Sequence, residues 1–467
     1  MKLRRWQDMC IAQAYKQYRA RQTHFLCLAT PGAGKTIMAS TLAKRLFDQD
    51  MIDLVICFSP SVIVATDFKS ELEQQITARI DGLIGSKGCS LTYQSMLSLP
   101  DTFWGLLSEH RTFVIFDEIH HCAGQSPEHA NAWGEKIISR IQGQATYTLA
   151  LTGTPWRSDA VPIVLSRYRG PDRRIHCDYQ YGLAKAVRDG VCRPPHITII
   201  DNDQIVVRQG QATNNYISFE ELLQQSGCSY ENLIKNDALM RYMISQADQK
   251  LSELRVATPN AGGLIVAGSV DHARQIHTLL RQEFNEEADI ATYQEENALE
   301  VIRYYKYSAA KWIISVGMIS EGTNIPRLQV CCHLTRIKTE LCFRQILGRI
   351  LRATWNSAEK GFLYMPAEPT LVKYARRVAE DIPAHQVVHL DIMNNSPAPT
   401  RIRLQTPISQ EQELKLTLEI SPPSFKSHQK PRFTPRSVSL LADSYESSVD
   451  IFGRFRQELM TFKPAEL

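Results

Sequence analysis

A glycine-rich stretch near the start of the chain carries the residue types best suited to binding phosphate. It reads Ala29-Thr30-Pro31-Gly32-Ala33-Gly34-Lys35-Thr36 and follows an apolar run at 24–28. Glycines let backbone N–H groups turn toward phosphate oxygens, Lys35 supplies a positive charge, and the Thr36 hydroxyl can hold Mg²⁺. Alanine stands at position 29, where the usual pattern begins with glycine. The stretch predicts a nucleoside triphosphate site lined by residues 30–36.

Two adjacent carboxylates follow a second apolar run, at 113–116. Asp117, at the end of a buried strand beside a phosphate loop, can hold Mg²⁺ through its waters. Glu118 can then orient and deprotonate the attacking water. The alternative is a solvated turn at a strand end. A zinc site at His120, His121 and Cys122 is disfavoured because consecutive side chains point apart; His120 is instead expected to couple the nucleotide site to the cleft.

Two arginines far along the chain could complete the site. Gln345, Gly348, Arg349 and Arg352 fall at helical spacing on one face, and Gly348 would let that face approach another surface closely. A pair of guanidinium groups suits the negative charge that develops on a γ-phosphate. The alternative is a basic amphipathic helix that faces solvent or nucleic acid. Because this segment belongs to a later part of the chain, the site would be complete only when two lobes close.

The elements that must position these residues alternate between apolar strands and helical patterns, which indicates an α/β fold with parallel sheets covered on both faces. Polar clusters follow several strands, and ligands of such sheets gather at the carboxyl ends of strands. Two segments of this kind predict two similar lobes with a cleft between them. The expected division is a first lobe at 1–200, a helical connector at 201–260, a second lobe at 261–396 and an extension at 397–467.

Composition narrows the class of protein. The chain has 467 residues, 43% of them hydrophobic and 22% charged, with a net charge of only +4, so a polyanion would be met by local patches. Its 11 cysteines include no CxxC pair, which favours reduced thiols in a cytoplasmic protein. Neither an apolar signal core nor a membrane-spanning run is evident. The extension has a basic, Pro- and Ser-rich linker at 421–439, and 450–460 is predicted to form a short helix that could dock a protein partner.

In combination, these motifs resemble those of superfamily 2 DExH-box helicases and translocases, which have two RecA-like lobes. The likeness is greatest to compact bacterial and phage proteins of the restriction-subunit group. The correspondence covers motif I at 29–36, motif II at 117–120, motif III at 152–154, motif V at 315–326 and motif VI at 345–352. The segment Leu3-Arg4-Arg5-Trp6-Gln7 is similar to the Q motif, in which the glutamine reads adenine and the arginine packs on the base. The resemblance therefore implies ATP as fuel, with Gln7 and Arg4 as its readers.

Further site residues are implied by the same resemblance. In motif V, Gly322 and Asn324 would contact the nucleotide, although the family usually has Asp where Asn324 stands. Thr152 and Thr154 of motif III would relay the state of the nucleotide to the bound strand. By position in the motif series, the residues expected to bind nucleic acid are Ser59, Pro60, Ser61, Thr92, Gln94, Ser269 and Thr323. Hydroxyl groups and loop amides can hold phosphates without reading bases, although each alone could be an ordinary turn or helix cap.

The expected function is an ATP-dependent helicase or translocase in which closure and reopening of two lobes move a strand. Family association favours DNA over RNA. Two alternatives remain: an RNA helicase, and a nucleic-acid-stimulated ATPase switch within a defence or repair complex that separates no strands. The first would differ in the nucleic acid that stimulates hydrolysis, and the second in the absence of strand displacement.

Overall fold

The computed structural model describes residues 3–124, 126–154, 161–169, 174–209, 212–318, 325–353, 359–379 and 447–462. Its helices are α1 (Arg5–Arg19), α2 (Lys35–Asp48), α3 (Val62–Ile76), α4 (Tyr93–Met96), α5 (Asp101–Glu109), α6 (Ala132–Lys136), α7 (Leu183–Arg188), α8 (Phe219–Gln225), α9 (Tyr230–Ile234), α10 (Asp237–Ala257), α11 (Val270–Glu283), α12 (Ala298–Tyr307), α13 (Glu340–Ile350) and α14 (Pro369–Ala379). Single turns of 3-10 helix lie at Ile119–His121 and Pro127–His129, and a π turn at Ile137–Ile141.

The strands form two large sheets and two small ones. In chain order they are β1 (His24–Ala29), β2 (Leu54–Ser59), β3 (Gly88–Thr92), β4 (Thr112–Phe116), β5 (Tyr147–Thr152), β6 (Arg167–Arg169), β7 (Arg174–His176), β8 (Tyr179–Tyr181), β9 (Pro195–Asn202), β10 (Ile205–Gln209), β11 (Ala212–Tyr216), β12 (Gly262–Ala267), β13 (Ala288–Thr292), β14 (Trp312–Val316), β15 (Leu328–Leu334), β16 (Gly361–Pro366), β17 (Ser447–Ile451) and β18 (Phe455–Thr461). Strands β6 and β7 pair only with each other among the described residues.

The first lobe is built on a parallel sheet of six strands in the order β3-β2-β4-β5-β1-β8. Alternate side chains of its strands enter two separate apolar clusters, one on each face. Along β1, for example, Phe25 and Cys27 join one cluster while Leu26 and Leu28 join the other. Burial on both faces is the reason these strands read as continuous apolar runs. The carboxyl ends of β1, β4 and β5 meet at one edge, where the phosphate loop, Asp117 and Thr152 lie.

The second lobe has a seven-stranded sheet in the order β13-β14-β12-β15-β16-β9-β18, in which only β18 runs antiparallel to its neighbour. The two-lobe α/β architecture expected from the alternating pattern is therefore present. Helix α13 follows β15 and leads back toward the first lobe. Among the residues that the structure describes, no helix combines the length and apolar character needed to span a membrane.

Two features of the connecting region differ from the expected domain division. Strand β9 belongs to the second sheet, where it pairs with β16 from Pro195↔Gly361 to Ile200↔Pro366. The chain therefore passes between the sheets after β8, earlier than the expected boundary at residue 200. The connector is also not purely helical, because β10 and β11 form a hairpin that precedes α8. An apolar run predicts a strand but does not indicate which sheet will accept it.

The prediction of a short helix at 450–460 is wrong. This segment forms β17, which pairs with β10, and β18, which pairs with β9. The turn between them contains Gly453, where an added Cβ would lie 2.3 Å from Asp203 Oδ1. Phe455 of β18 stacks on Tyr242 of α10 with ring centroids 4.2 Å apart. The terminal strands are thus part of the second lobe, and the rest of the predicted extension, including its linker at 421–439, lies outside the described residues.

A chain that ends at residue 446 is expected to be less stable than the full chain. Its loss of β17 and β18 would expose the edges of β9 and β10 and remove the packing of Phe455 on Tyr242. We expect the midpoint of thermal unfolding of the second lobe to fall by about 5 °C or more. Calorimetry tests this, with a chain ending at residue 462 as the matched control. Equal midpoints for both truncated chains would show that the strands contribute no stability.

Candidate active site

The phosphate loop leaves the carboxyl end of β1 and runs into the amino end of α2. Two of its glycines have left-handed backbone conformations, with φ of 82° at Gly32 and 95° at Gly34. Such values favour glycine because a Cβ would be strained there. Gly34 is the N-cap residue of α2, so the first N–H groups of the helix lie in the loop. A helix N-terminus of this kind is suited to binding an anion.

The first turn of α1, together with its N-cap residue Arg4, contacts this loop on the side opposite the phosphate site. Arg4 Nη1 donates to the carbonyl oxygen of Ala33 at 2.8 Å, and Gln7 Nε2 donates to the carbonyl oxygen of Gly34 at 2.9 Å. In a trans peptide the N–H of the next residue points opposite to the carbonyl. Holding these two carbonyls toward α1 therefore turns the N–H groups of Gly34 and Lys35 to the other side of the loop, where phosphate oxygens would bind.

Arg4 and Gln7, the residues predicted to bind adenine, thus donate hydrogen bonds to the phosphate loop of the protein itself. The Gln7 side chain is 2% exposed, and its Oε1 also accepts from the backbone N–H of Arg4 at 2.8 Å. Adenine recognition by these residues remains a prediction. Sequence reasoning missed their neighbour Trp6, whose indole N–H donates to the Ala33 carbonyl at 3.2 Å and whose ring stacks on Tyr181 at 4.8 Å. A tryptophan that follows two arginines at the start of an amphipathic helix was the available signal.

The lysine of the loop meets the second motif directly. Lys35 Nζ lies 2.7 Å from Glu118 Oε1, and their side chains are only 10% and 21% exposed. Glu118 has a left-handed φ of 49°, and its other oxygen accepts from the backbone N–H of Gly153 at 3.3 Å. This ion pair occupies the charges of both residues. Lys35 and Glu118 would have to separate for one to bind a phosphate and the other to activate water.

Asp117 and Thr36 supply oxygen ligands of the type that Mg²⁺ prefers. Asp117 is 6% exposed, and its backbone is fixed on both sides: its N–H donates to the Phe58 carbonyl at 2.9 Å, and its carbonyl accepts from the Tyr93 hydroxyl at 2.8 Å. Thr36 lies in the first turn of α2. A carboxylate and a hydroxyl beside the phosphate loop fit a magnesium ion bound together with a triphosphate.

The residues predicted to couple the site to the cleft form one buried cluster. His120 Nδ1 lies 3.0 Å from Thr152 Oγ1, 3.5 Å from Thr154 Oγ1 and 3.4 Å from Glu118 Oε2. His120 and both threonines are at most 1% exposed. A displacement of the Glu118 carboxylate would therefore change its contact with His120, and through His120 the contacts with the turn that follows β5.

Helix α13 of the second lobe packs on the phosphate loop. A Cβ added at Gly348 would lie 2.5 Å from Pro31 Cβ, and one added at Gly32 would lie 2.8 Å from Arg352 Cγ. The close approach expected of Gly348 is thus present, and its partner is the loop itself. Gln345 and Arg349, on the same helix, are 8% and 7% exposed. The structure therefore brings Arg352 beside the predicted phosphate site and places Arg349 on the helix that packs against it.

Arg352 lies outside helix α13, although its spacing predicted that it belongs to the same helical face as Arg349. Helix α13 ends at Ile350, and Arg352 instead forms an isolated antiparallel bridge with Cys192. Burial, reinforced by the neighbouring charge of Arg349, lowers the pKa of Arg352 to about 9. The guanidinium remains charged at neutral pH. A bound anion would oppose both effects.

Three of the residues predicted to bind nucleic acid are helix N-caps at the carboxyl edges of the two sheets. The hydroxyl oxygens of Ser61, Thr92 and Ser269 accept from the backbone N–H groups of Val64, Ser95 and His272. They begin α3, α4 and α11, and each remains partly accessible. Pro60 is also partly accessible and Gln94 is exposed. Each of these helices begins soon after a strand ends, α3 after β2, α4 after β3 and α11 after β12.

Ser59 differs from the other predicted nucleic-acid residues in its burial. Its side chain is 0% exposed, and its Oγ lies 3.7 Å from Cys57 Sγ inside the sheet. Its contact with nucleic acid stays a prediction. Three further predicted residues, Gly322, Thr323 and Asn324, lie outside the described residues.

Comparison with known proteins bears on the first lobe and on the whole fold. Residues 1–157 match the model of the family described as "Type III restriction enzyme, res subunit". An uncharacterized protein of Mycobacterium leprae is 31% identical over 393 residues, which is 80% of this chain and 63% of that protein. An uncharacterized protein of Mycobacterium tuberculosis is 31% identical over 394 residues, 80% of this chain and 62% of its own length. The chain thus spans less than two thirds of these relatives.

Among solved structures, a fragment described as an HsdR subunit of a type I restriction enzyme from Vibrio vulnificus has a TM-score of 0.52. It is 15% identical, and the alignment covers 77% of this chain and 63% of the fragment. The DNA-bound type ISP restriction-modification enzyme LlaBIII aligns with a TM-score of 0.48 and 12% identity, over 78% of this chain and 28% of the enzyme. Dbp5 of S. cerevisiae, bound to RNA and ADP BeF3, aligns with a TM-score of 0.49 and 14% identity. The alignment covers 84% of this chain and 88% of Dbp5.

At 15% identity and a TM-score of 0.52, the Vibrio vulnificus fragment supports the fold alone, and the match of residues 1–157 supports the family of that segment. The matched segment contains both the phosphate loop and the two carboxylates at 117–118, in agreement with the motifs identified in the sequence. Residues 1–157 thus match a restriction-subunit family, in a chain whose fold has two RecA-like lobes, and these findings confirm the resemblance inferred from the sequence.

Proposed function

We propose that this chain is an ATP-driven motor on nucleic acid, with DNA favoured over RNA. One observation carries the proposal: the phosphate loop of the first lobe and the arginine-bearing α13 of the second lobe are in contact, through Gly348 against Pro31 and Arg352 against Gly32. A triphosphate on the loop would therefore lie between residues of both lobes. Hydrolysis would remove contacts that the triphosphate makes with both lobes, and the lobes could then separate. A motor requires this coupling between hydrolysis and lobe movement.

ATP binding would begin by separating Lys35 from Glu118. The β- and γ-phosphates carry more negative charge than one carboxylate, so they would draw Lys35 Nζ away from the Oε1 atom it contacts at 2.7 Å. Glu118 would then be available to orient and deprotonate the attacking water. Magnesium, held by Asp117 and Thr36 with the phosphates, would neutralise part of the charge on the transferring group. Arg349 and Arg352 would stabilise the charge that develops on the γ-phosphate.

The change at Glu118 would pass to the cleft through His120. Its ring lies within 3.5 Å of Glu118, Thr152 and Thr154. The hydrogen bonds of His120 would therefore change when Glu118 exchanges its pair with Lys35 for a contact with water. The N-caps Ser61 and Ser269, on α3 and α11, support binding of a strand across both lobes. Helix N-termini hold phosphates without reading bases. Affinity should therefore be tolerant of sequence and should fall steeply with salt.

Substituting Gly348 with alanine tests the interlobe contact. The new methyl group would meet Pro31 Cβ at 2.5 Å and push α13 from the phosphate loop. We expect kcat for ATP hydrolysis to fall by about 10-fold or more, because a displacement of 1 Å at a reacting centre can cost about 100-fold. The matched control is Gly105→Ala in α5, where the nearest atom to an added Cβ is 3.8 Å away. A Gly348→Ala protein as active as the control would contradict the contact.

The proposed function itself is tested by measuring ATP hydrolysis and strand displacement on one panel of ligands at several salt concentrations. The panel contains single-stranded DNA, blunt and forked duplexes, branched DNA and RNA. We expect hydrolysis to be stimulated most by a DNA ligand and a strand or a roadblock to be displaced. Stimulation by RNA alone would identify an RNA helicase. Stimulation without displacement or translocation would identify an ATPase switch, and hydrolysis on none of the ligands would refute the proposal.

A further inference from the structure

Arg193 is a buried arginine in the linker between the two sheets, and sequence reasoning did not single it out. It lies between α7 of the first lobe and β9 of the second, and its side chain is 1% exposed. Its Nε and Nη2 donate to Glu359 Oε2 at 2.9 and 2.5 Å. Burial lowers the pKa of Arg193, and the Glu359 carboxylate opposes that shift. An ion pair this deep is costly to form unless the remaining donors are also satisfied.

The remaining donors reach the two segments of the second lobe that flank the nucleotide site. Arg193 Nη1 donates to the carbonyls of Leu328 at 2.8 Å, Pro326 at 3.2 Å and Ile350 at 3.4 Å. Pro326 is the last residue of the motif V segment, Leu328 lies two residues beyond it, and Ile350 is the last residue of α13. The backbone N–H of Arg193 also donates to the Leu351 carbonyl at 2.7 Å. The carbonyls at the end of a helix need partners from outside it, and here the linker supplies them.

The neighbouring linker residue continues these contacts to the site. Cys192 pairs with Arg352 in the isolated antiparallel bridge, and its thiol lies 3.8 Å from the Pro31 carbonyl of the phosphate loop. Cys192 and Arg193 thus contact three consecutive residues, Ile350 to Arg352, and fix the position of the end of α13. Any movement of the linker during rotation of the lobes would be passed to Arg352 through these bonds.

We propose that Arg193 is a positioning residue for the ATPase reaction: by capping α13 from the interlobe linker, it fixes Arg349 and Arg352 over the phosphate loop. This inference rests on the proposed function, since it assigns the arginines to the γ-phosphate. Arg193 itself does not touch the nucleotide. Its loss should therefore impair stabilisation of the transition state more than binding of ATP, which depends mainly on the first lobe.

The test compares Arg193→Lys with Arg327→Lys in the full chain. Lysine can keep the pair with Glu359, but it lacks the planar fork that reaches three carbonyls. Arg327 is the matched control, because it is another arginine of the second lobe that donates to backbone carbonyls, those of Tyr305, Asn260 and Ala310, and burial lowers its pKa as well. We expect Arg193→Lys to lower kcat by about 10-fold with KM for ATP changed less than about 2-fold. Arg327→Lys should lower thermal stability while leaving kcat and KM near their wild-type values.

A second variant guards against simple loss of folding. In Arg193→Met combined with Glu359→Gln, the buried charge is removed together with its partner, so no uncompensated carboxylate remains. This protein should fold and show the same fall in kcat as Arg193→Lys. Equal loss of kcat in the Arg327→Lys control, or a wild-type kcat in either Arg193 variant, would overturn the positioning role while leaving the proposed function intact. If the wild-type chain hydrolyses no ATP, the proposed function fails, and the positioning role fails with it.

Discussion

Replacing Lys35 with alanine is expected to reduce ATP hydrolysis by at least about 100-fold, the usual scale for losing one charge-stabilising donor at a reacting centre. The structure gives a specific reason for the size of the effect. Lys35 is 10% exposed and lies at the first turn of α2, between Glu118 and the loop that carries Gly32 and Gly34. No other lysine among the described residues occupies that loop. The loss is measured as the rate of phosphate release at saturating nucleic acid.

A lysine on the same helix provides the control for this substitution. Lys44 is 43% exposed and pairs with Asp48 one turn away, on the surface of α2. Lys44→Ala removes the same side-chain type from the same helix and should leave the hydrolysis rate within about 2-fold of wild type, because exposed pairs contribute little. Substantial turnover by Lys35→Ala would mean that the phosphates bind elsewhere.

Substituting Arg349 or Arg352 with alanine is expected to lower kcat by about 100-fold or more, because arginines that neutralise a transferring phosphoryl group have effects of about 10³ or above. KM for ATP should change much less, since the phosphate loop and Lys35 belong to the other lobe. Arg352 contacts that loop across the interlobe boundary at Gly32, and Arg349 lies on α13, which approaches Pro31 through Gly348. Single-turnover hydrolysis separates the chemical step from product release.

Arg344 is the control for the arginine substitutions because it lies on the same helix but faces α14. It pairs with Glu340 at 2.9 Å, and Arg377 of α14 also pairs with Glu340 at 2.6 Å. In Arg344→Ala the carboxylate therefore keeps one partner, and kcat should stay near that of wild type. A similar loss in all three variants would indicate that α13 has simply been disturbed, and that Arg349 and Arg352 have no special place at the phosphate site.

The parts of this structure that sequence reasoning predicted are those with a strong local signal. The phosphate loop was predictable because left-handed glycines and a following helix leave a pattern in consecutive residues. The two RecA-like lobes were predictable because strands buried on both faces produce continuous apolar runs. The approach of Gly348 to another surface was predictable because glycine in a helix that displays arginines has little other purpose. Its partner, Pro31, could not be named, since the contact joins positions distant in sequence.

The errors arose where long-range pairing decides the outcome. The segment 450–460 has apolar residues at helical spacing, yet β9 and β10 offer open edges that bind it as strands, and Gly453 makes the turn between them. Tertiary pairing overrides local propensity in such cases. Likewise, β9 reads as a strand but its sequence does not say which lobe accepts it. Arg193 carries no local signal, because its partners, the Glu359 carboxylate and several backbone carbonyl groups, are distant in sequence.

The central claim is that one triphosphate site is shared by both lobes, and nucleotide affinities test it most directly. The comparison uses ADP alone and ADP with aluminium fluoride, which mimics the transferring phosphoryl group, in wild type and Arg349→Ala. We predict that the wild-type chain with magnesium and DNA binds the mimic about 100-fold or more tightly than ADP. Arg349→Ala should keep the affinity for ADP and lose most of that gain. A gain that survives unchanged without the arginine would contradict a site completed by the second lobe.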